Sequence, residues 1–178
     1  MAPVTLLLGG ARSGKSRFAQ QWAEDHPGPL VYIATATASD GEMADRIARH
    51  RHDRGERWLT VEEEIDLPAA LTACQAEAGA IVVDCITLWL SNLMLGGHDV
   101  DAGLARLVDA LRRLTKPVYV VSNEVGSGIV PEYPLGRAFR DEAGRVNQQL
   151  AQCAARVTLI VAGLPLWLKG QALPSSAD

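Results

Sequence analysis

A run of eight residues near the start of the chain has the composition of a phosphate-binding loop. It matches the pattern G-x-x-x-x-G-K-[S/T], follows an apolar run and opens a helical pattern. Glycines let successive backbone N–H groups converge on a phosphate, and the start of the helix adds positive partial charge. The lysine neutralises the β- and γ-phosphate oxygens, and the final hydroxyl is a ligand for Mg²⁺. We therefore predict that a nucleoside triphosphate binds to Gly9, Gly10, Ala11, Arg12, Ser13, Gly14, Lys15 and Ser16. The alternative is a glycine-rich turn with a chance Lys-Ser pair.

Acidic and amide side chains follow two other apolar runs. Asp84 comes directly after residues 80–83, Ala-Ile-Val-Val. Open α/β sheets bind ligands at the carboxyl ends of their strands, so we favour Asp84 as a residue that supports Mg²⁺. The alternative is an aspartate that caps the following helix. Asn123 and Glu124 either reach the same edge or form a polar turn before Gly126.

Arginines and histidines are concentrated in residues 46–54. A guanidinium group binds phosphate in a bidentate way, but the composition alone favours a solvated helix face with nearby acidic partners. Helical spacing places His50 on the same face as Met43 and Ile47. An inward histidine is more often structural than nucleophilic, so the residues alone leave its role open.

The apolar runs and helical patterns alternate, which predicts a mainly parallel α/β sheet flanked by helices. We expect strands at 4–8, 30–35, 80–84, 117–122 and 157–162. Residues 58–61 are an additional strand candidate, and residues 164–169 either extend the last strand or fold back beside it. Helices are expected at 15–24, 40–54, 66–78, 87–95, 101–114 and 134–154.

Composition limits the function. A chain of 178 residues with 48% hydrophobic residues fits one globular domain, here 1–170, with a polar tail at 171–178. The net charge of −4 provides no general basic field for nucleic acid. No stretch approaches the ~20 apolar residues of a membrane span, and the first residues do not read as a signal peptide, so a cytoplasmic location is expected.

Two further patterns exclude other classes. The three cysteines lack zinc-site spacing and are expected to be buried thiols. The segment Thr115-Lys116-Pro117-Val118 lacks the aspartate of a guanine-recognition motif, which argues against a switch GTPase.

Taken together, the motifs resemble the bifunctional adenosylcobinamide kinase/adenosylcobinamide-phosphate guanylyltransferase family. The resemblance runs nearly end to end, and the set of motifs in this order is specific. The matching residues are 9–17, Tyr32-Ile-Ala-Thr35, Glu42-Met43, Arg46-Ile47, His50, Asp84-Cys85, Thr87, Asn92-Leu93, Asn123-Glu-Val-Gly126, Gly128-Ile-Val-Pro131, Phe139-Arg-Asp141 and Gly144-Arg-Val-Asn-Gln148.

The resemblance implies a P-loop, RecA-like fold, a homotrimer and two Mg²⁺-dependent reactions. In the first, ATP or GTP phosphorylates adenosylcobinamide. In the second, GTP donates GMP to a histidine, and the GMP passes to adenosylcobinamide phosphate to give adenosylcobinamide-GDP. His50 corresponds to the family's histidine, although His52 lies two residues further on.

The resemblance also implies where the nucleotide binds. Catalysis is assigned to His50 and Lys15, and metal binding to Ser16 and Asp84. Glu62 is the expected acidic contact, with Glu63 and Glu64 as neighbouring acids. Two other classes remain as alternatives, a simple P-loop kinase without a covalent histidine and a nucleotide-dependent regulatory protein. The expected nucleotide contacts are residues 9–16, Ala34, Thr35, Ala36, Arg51, His52, Asp53, Arg54, Glu62 and Asp84.

Overall fold

A computed structural model describes residues 3–36 and 55–173 of the chain. These residues form a seven-stranded sheet of order β3-β2-β4-β5-β1-β6-β7. The first six strands pair in parallel, and β7 pairs antiparallel to β6. The strands are β1 (Val4–Leu8), β2 (Leu30–Ala34), β3 (Trp58–Glu62), β4 (Ala80–Asp84), β5 (Val118–Val121), β6 (Arg156–Val161) and β7 (Leu164–Lys169).

Five helices are described alongside this sheet. Most begin and end within two residues of the positions predicted from the sequence, but the helix expected to reach residue 78 ends at Cys74. The helix predicted at 40–54 lies outside the described residues. The helices are α1 (Lys15–Glu24), α2 (Leu67–Cys74), α3 (Ile86–Leu95), α4 (Val100–Arg113) and α5 (Pro134–Cys153).

The four central strands β1, β2, β4 and β5 are buried on both sides, which explains their continuous apolar runs. On one face, Leu7, Tyr32 and Val121 pack with Ala19 and Trp22 of α1. On the other, alternate residues of the same strands pack against α2 to α5 in a larger cluster. Because successive side chains along a strand point to opposite faces, neighbouring residues of each central strand pack in different layers.

The last strand folds back beside β6, the second of the two predicted alternatives. Its connection contains Ala162 and Gly163, both with positive φ (51° and 78°). Positive φ at both central residues is typical of the type I′ hairpin turn. Trp167 of β7 then packs on Trp22, with ring centroids 5.3 Å apart. This turn also lies against the phosphate loop, because the N–H of Gly163 donates to the carbonyl of Ser13 at 3.1 Å.

The thiols are less uniformly buried than expected. Cys85 is buried, whereas Cys74 and Cys153 are only partly buried, and all three are unpaired. Within residues 3–36 and 55–173, no helix is long and apolar enough to cross a membrane.

Candidate nucleotide-binding site

The loop between β1 and α1 has the backbone conformation that its glycines allow. Gly9, Arg12 and Gly14 have positive φ, and Gly14 is the N-cap of α1 in the left-handed region. Within residues 3–36 and 55–173, no side-chain hydrogen bond caps the start of this helix. Because the first N–H groups of a helix have no partner within the helix, the start of α1 is open to an anion.

Lys15 is the first residue of α1 and turns back over the loop. Its Nζ donates to the carbonyl of Gly10 at 2.6 Å and lies 3.5 Å from Oγ of Ser13. Burial lowers the pKa of Lys15, against the opposing effect of the Asp84 carboxylate. The ammonium group is therefore poorly solvated and interacts with the Asp84 carboxylate at the end of β4. A phosphate would give this ammonium group a strong partner.

Asp84 lies at the carboxyl end of β4, as the sequence predicted. Its Oδ2 accepts a hydrogen bond from the Tyr32 hydroxyl at 2.6 Å. The N-cap of the following helix α3 is Cys85, and among the described residues the Asp84 carboxylate accepts no hydrogen bond from the first turn of that helix. The alternative interpretation, in which Asp84 caps α3, is therefore wrong.

Three predicted contacts share one row across the sheet. Ala34 of β2 is opposite Glu62 of β3 on one side and Asp84 of β4 on the other. Because neighbouring strands are about 4.8 Å apart, the backbones of Glu62 and Asp84 are separated by roughly 10 Å. Glu63, the neighbouring acid, instead accepts hydrogen bonds from the N–H groups of Ile65 and Asp66 at 2.9 and 2.7 Å. Glu62 therefore lies in the same row of the sheet as Asp84, with Ala34 between them, whereas Glu63 stabilises a turn.

Thr35 joins the ends of β2 and β4. Its hydroxyl donates to the Cys85 carbonyl at 2.7 Å and accepts the Cys85 N–H at 2.8 Å. Its own N–H donates to the carbonyl of Asp84 at 3.1 Å, and its carbonyl accepts from Nδ2 of Asn92 at 2.9 Å. The polar groups of Thr35 are thus engaged within the protein, which makes it a brace for the residues on either side, Ala34 and Ala36.

Asn123 and Glu124 take the two roles that the sequence left as alternatives. The Glu124 carboxylate accepts from the N–H of Gly126 at 2.6 Å and forms the polar turn. Asn123 lies at the sheet edge, where its N–H donates to Oγ1 of Thr87 at 2.7 Å. The sequence did not predict the contacts of Tyr32, Thr87, Asn92 and Asn147, because these contacts depend on the order of the strands. The available signal was the position of these residues within the motifs that carry the family resemblance.

The remaining predicted site residues are His50, Arg51, His52, Asp53 and Arg54. They lie outside the described residues, so their assignment remains a prediction.

An apolar groove of about 490 Å³ is lined by residues outside the phosphate loop. It lies between the C-terminal end of α3 and the start of α5. Its main lining residues are Met94, Leu95, Pro131, Tyr133, Leu135 and Phe139.

These features define a P-loop nucleotide-binding protein with a RecA-like parallel sheet. Solved structures support this fold. The structure of the RadB recombinase has a TM-score of 0.54 and 19% identity, with 89% of this chain and 74% of that chain covered. The flagellar accessory protein FlaH from Methanocaldococcus jannaschii has a TM-score of 0.52 and 14% identity, with 94% of this chain and 78% of that chain covered.

The sequence identifies the family within this class. The chain belongs to the cobinamide kinase / cobinamide phosphate guanyltransferase family, whose model matches residues 5–168. It is 48% identical over 171 residues to the bifunctional adenosylcobalamin biosynthesis protein CobP of Pseudomonas aeruginosa, with 94% of this chain and 98% of that protein covered. It is 42% identical over 181 residues to the bifunctional adenosylcobalamin biosynthesis protein CobU of Salmonella typhimurium, with 93% and 99% covered.

Proposed function

We propose that this chain phosphorylates adenosylcobinamide with ATP or GTP and then transfers GMP from GTP to adenosylcobinamide phosphate, giving adenosylcobinamide-GDP. The observation that carries the proposal is the site at one edge of the sheet, in a chain of this family. There the Lys15 ammonium lies over the phosphate loop and interacts electrostatically with the Asp84 carboxylate, which supports a shared site for the triphosphate. Both reactions are displacements at phosphorus, so one site that positions a nucleoside triphosphate serves both.

We infer that Ser16 and Asp84 hold Mg²⁺ together with the nucleotide. A hydroxyl and a carboxylate are the hard oxygen donors that Mg²⁺ prefers. Tyr32 engages Oδ2 of Asp84, and within residues 3–36 and 55–173 no hydrogen bond is made to Oδ1, which suits a carboxylate that takes a further ligand. Bound Mg²⁺ supplies charge neutralisation at the phosphate oxygens. Lys15 and the N–H groups of the loop then bind the remaining charge.

GMP transfer is proposed to pass through His50. A neutral ring nitrogen attacks the α-phosphorus of GTP, the bond between that phosphorus and the bridging oxygen breaks, and pyrophosphate leaves. A phosphate oxygen of adenosylcobinamide phosphate next attacks the same phosphorus, and the P–N bond breaks to restore neutral histidine. Lys15 stabilises the charge that develops on the leaving pyrophosphate, while Arg51 and Arg54 are proposed to contact the α-phosphate.

The first test is covalent labelling. The protein is incubated with α-labelled GTP and Mg²⁺ without cobinamide, denatured, and counted for bound label. We expect label in the wild-type protein and in His52→Ala, and none in His50→Ala. Label lost only in His52→Ala would move the covalent role to that residue. An absence of label from the wild-type protein would leave the plain kinase as the better description.

The kinase step has a separate test. Lys15→Ala is expected to reduce both reactions, because both use the triphosphate. His50→Ala is expected to abolish GMP transfer and to leave phosphorylation of adenosylcobinamide in place. Phosphoryl transfer is measured with γ-labelled ATP or GTP. Nucleotide binding without either product, in the presence of cobinamide, would instead indicate a regulatory protein.

We further propose a homotrimer in which residues 123–148 contact either the corrinoid or a neighbouring subunit. Two apolar side chains of this segment are exposed, Ile129 at 96% and Tyr133 at 74%. Their exposure supports a contact between this segment and another molecule. Arg140→Ala distinguishes the two roles, with native mass and the KM for cobinamide measured together. A changed mass indicates subunit contact, and a raised KM at unchanged mass indicates corrinoid contact.

A further inference from the structure

The end of β5 lies between the two elements that are expected to hold the nucleotide. In the sheet, β5 pairs with β4 on one side and with β1 on the other. Val121 is in register with both Asp84 and Leu7. Strands are about 4.8 Å apart, so a residue just beyond β5 is one strand away from Asp84 and one strand away from the phosphate loop.

The extended pairing with β1 continues past the last residue of β5. The N–H of Ser122 donates to the carbonyl of Leu7 at 2.9 Å, and the N–H of Glu124 donates to the carbonyl of Gly9 at 3.0 Å. The two N–H donors, Ser122 and Glu124, are two residues apart, and so are their acceptors, Leu7 and Gly9. This spacing is that of a parallel ladder. Asn123 is held between them, beside the first residue of the phosphate loop.

This pairing determines which face of the sheet Asn123 occupies. The Ser122 hydroxyl donates to Oδ1 of Asn147 on α5 at 2.7 Å, so Ser122 faces the α5 layer. Successive side chains of an extended segment point to opposite faces. Asn123 therefore faces the layer of α1, the helix that begins with Lys15.

Buried side chains fix the backbone of Asn123 on both sides. Its N–H donates to Oγ1 of Thr87 at 2.7 Å, and its carbonyl accepts from Nδ2 of Asn147 at 3.1 Å. Thr87 and Asn147 are both buried. Within residues 3–36 and 55–173, the Asn123 side-chain amide itself makes no hydrogen bond. The structure thus fixes the backbone that carries this amide, which lowers the entropy cost of a hydrogen bond from the amide to a ligand.

We propose that the Asn123 side-chain amide binds the terminal phosphate of the nucleoside triphosphate, between Lys15 and Asp84. The inference rests on the proposed function, because it requires a triphosphate on the loop. An amide N–H₂ donates to phosphate oxygens without adding charge. In the kinase step it contacts the phosphoryl group that is transferred, and in GMP transfer it contacts the pyrophosphate that leaves.

The test compares a triphosphate with a diphosphate. Calorimetry gives the Kd of the β,γ-imido analogue of GTP and of GDP, each with Mg²⁺, for the wild-type protein, Asn123→Ala and Asn123→Asp. We expect Asn123→Ala to weaken binding of the triphosphate analogue by about tenfold and to change GDP binding by about twofold at most. Asn123→Asp is expected to weaken triphosphate binding further, because a carboxylate repels the phosphate.

A matched control is Glu124→Gln, which keeps an acceptor for the N–H of Gly126 and is expected to bind both nucleotides as the wild-type protein does. The urea unfolding midpoint of Asn123→Ala should equal that of the wild-type protein, because both backbone hydrogen bonds remain. Equal weakening of both nucleotides, or an unchanged ratio of the two Kd values, would overturn the inference. A wild-type protein that bound neither nucleotide would overturn the proposed function as well, and Lys15→Ala provides the reference for lost phosphate binding.

Discussion

The Tyr32 hydroxyl donates a hydrogen bond of 2.6 Å to Oδ2 of Asp84, and so links the middle of β2 to the carboxylate at the end of β4. Tyr32 is buried, with its ring edge-on to Trp58 at a centroid distance of 6.2 Å. A donor fixed by packing holds one oxygen of the carboxylate in a single orientation. Because Asp84 is proposed to support Mg²⁺, Tyr32 is a positioning residue for that site.

Replacing Tyr32 by phenylalanine tests this relationship. Tyr32→Phe keeps the ring but removes the donor to a charged acceptor, so we expect Mg²⁺-dependent binding of GTP to weaken by about tenfold. Binding of GTP in the presence of EDTA should change much less. Calorimetric titration under the two conditions gives the comparison.

The control for Tyr32→Phe is Trp58→Phe, which alters the ring contact and leaves the hydroxyl in place. It is expected to lower stability without changing the ratio of the Kd values with and without Mg²⁺. If Tyr32→Phe also left that ratio unchanged, the hydrogen bond would have no role in metal-assisted binding.

The first glycine of the phosphate loop is required by both conformation and space. Gly9 has φ of 153°, and a Cβ there would lie 2.5 Å from the carbonyl oxygen of Ile160 and 2.7 Å from Oγ of Ser13. We expect Gly9→Ala to lower the free energy of unfolding by about 2–4 kcal/mol. Gly10 is the matched control, because a Cβ there meets nothing within 4 Å.

Urea unfolding of the two alanine variants measures the difference. Gly10→Ala should change the free energy of unfolding by about 1 kcal/mol at most. If the free energy of unfolding fell no further in Gly9→Ala than in Gly10→Ala, a small movement of the backbone would be relieving the contact with Ile160.

The phosphate loop and Asp84 could be predicted because each depends on residues adjacent in sequence. The loop is a continuous pattern, and Asp84 ends an apolar run. The contacts of Asn123 and Tyr32 could not be predicted in this way, because they depend on β5 lying between β1 and β4, and on β2 lying beside β4. Strand order is a property of the whole sheet. The hairpin before β7 did leave a local signal, the Ala162-Gly163 turn.

A second side chain at the same edge holds together the residues next to the proposed nucleotide. Nδ2 of Asn92 donates to the carbonyl of Thr35 at 2.9 Å and to that of Glu64 at 3.2 Å. Asn92→Ala leaves both carbonyls without this donor, so we expect the free energy of unfolding to fall by about 1–3 kcal/mol. The affinity for GTP should fall too, because the ends of β2 and β3 carry Ala34 and Glu62.

Ser91→Ala is the control for Asn92→Ala, since Ser91 is adjacent on α3 and lines the apolar groove instead. Denaturant unfolding and calorimetry are measured on both variants. A loss of stability in Asn92→Ala with unchanged GTP affinity would separate this brace from the nucleotide site.

The reactivity of the Cys85 thiol tests whether the carboxyl end of β4 is buried, as the structure describes it. Burial raises the pKa of its thiol from 9.0 to about 11, with a further contribution from the Asp84 carboxylate. Since only the thiolate reacts, about one molecule in a thousand carries the reactive form at pH 8. We therefore expect iodoacetamide to label the partly buried Cys74 and Cys153 well before Cys85, with labelling located by peptide mass spectrometry.

The same pKa shift makes the stability of the protein depend on pH. Between pH 9 and 11 the Cys85 thiol loses its proton in the unfolded chain and keeps it in the folded chain, so the free energy of unfolding falls as the pH rises through that window. Cys85→Ala should reduce this dependence. Rapid labelling of Cys85 in the native protein at pH 8 would show that the end of β4 is more open than the structure describes.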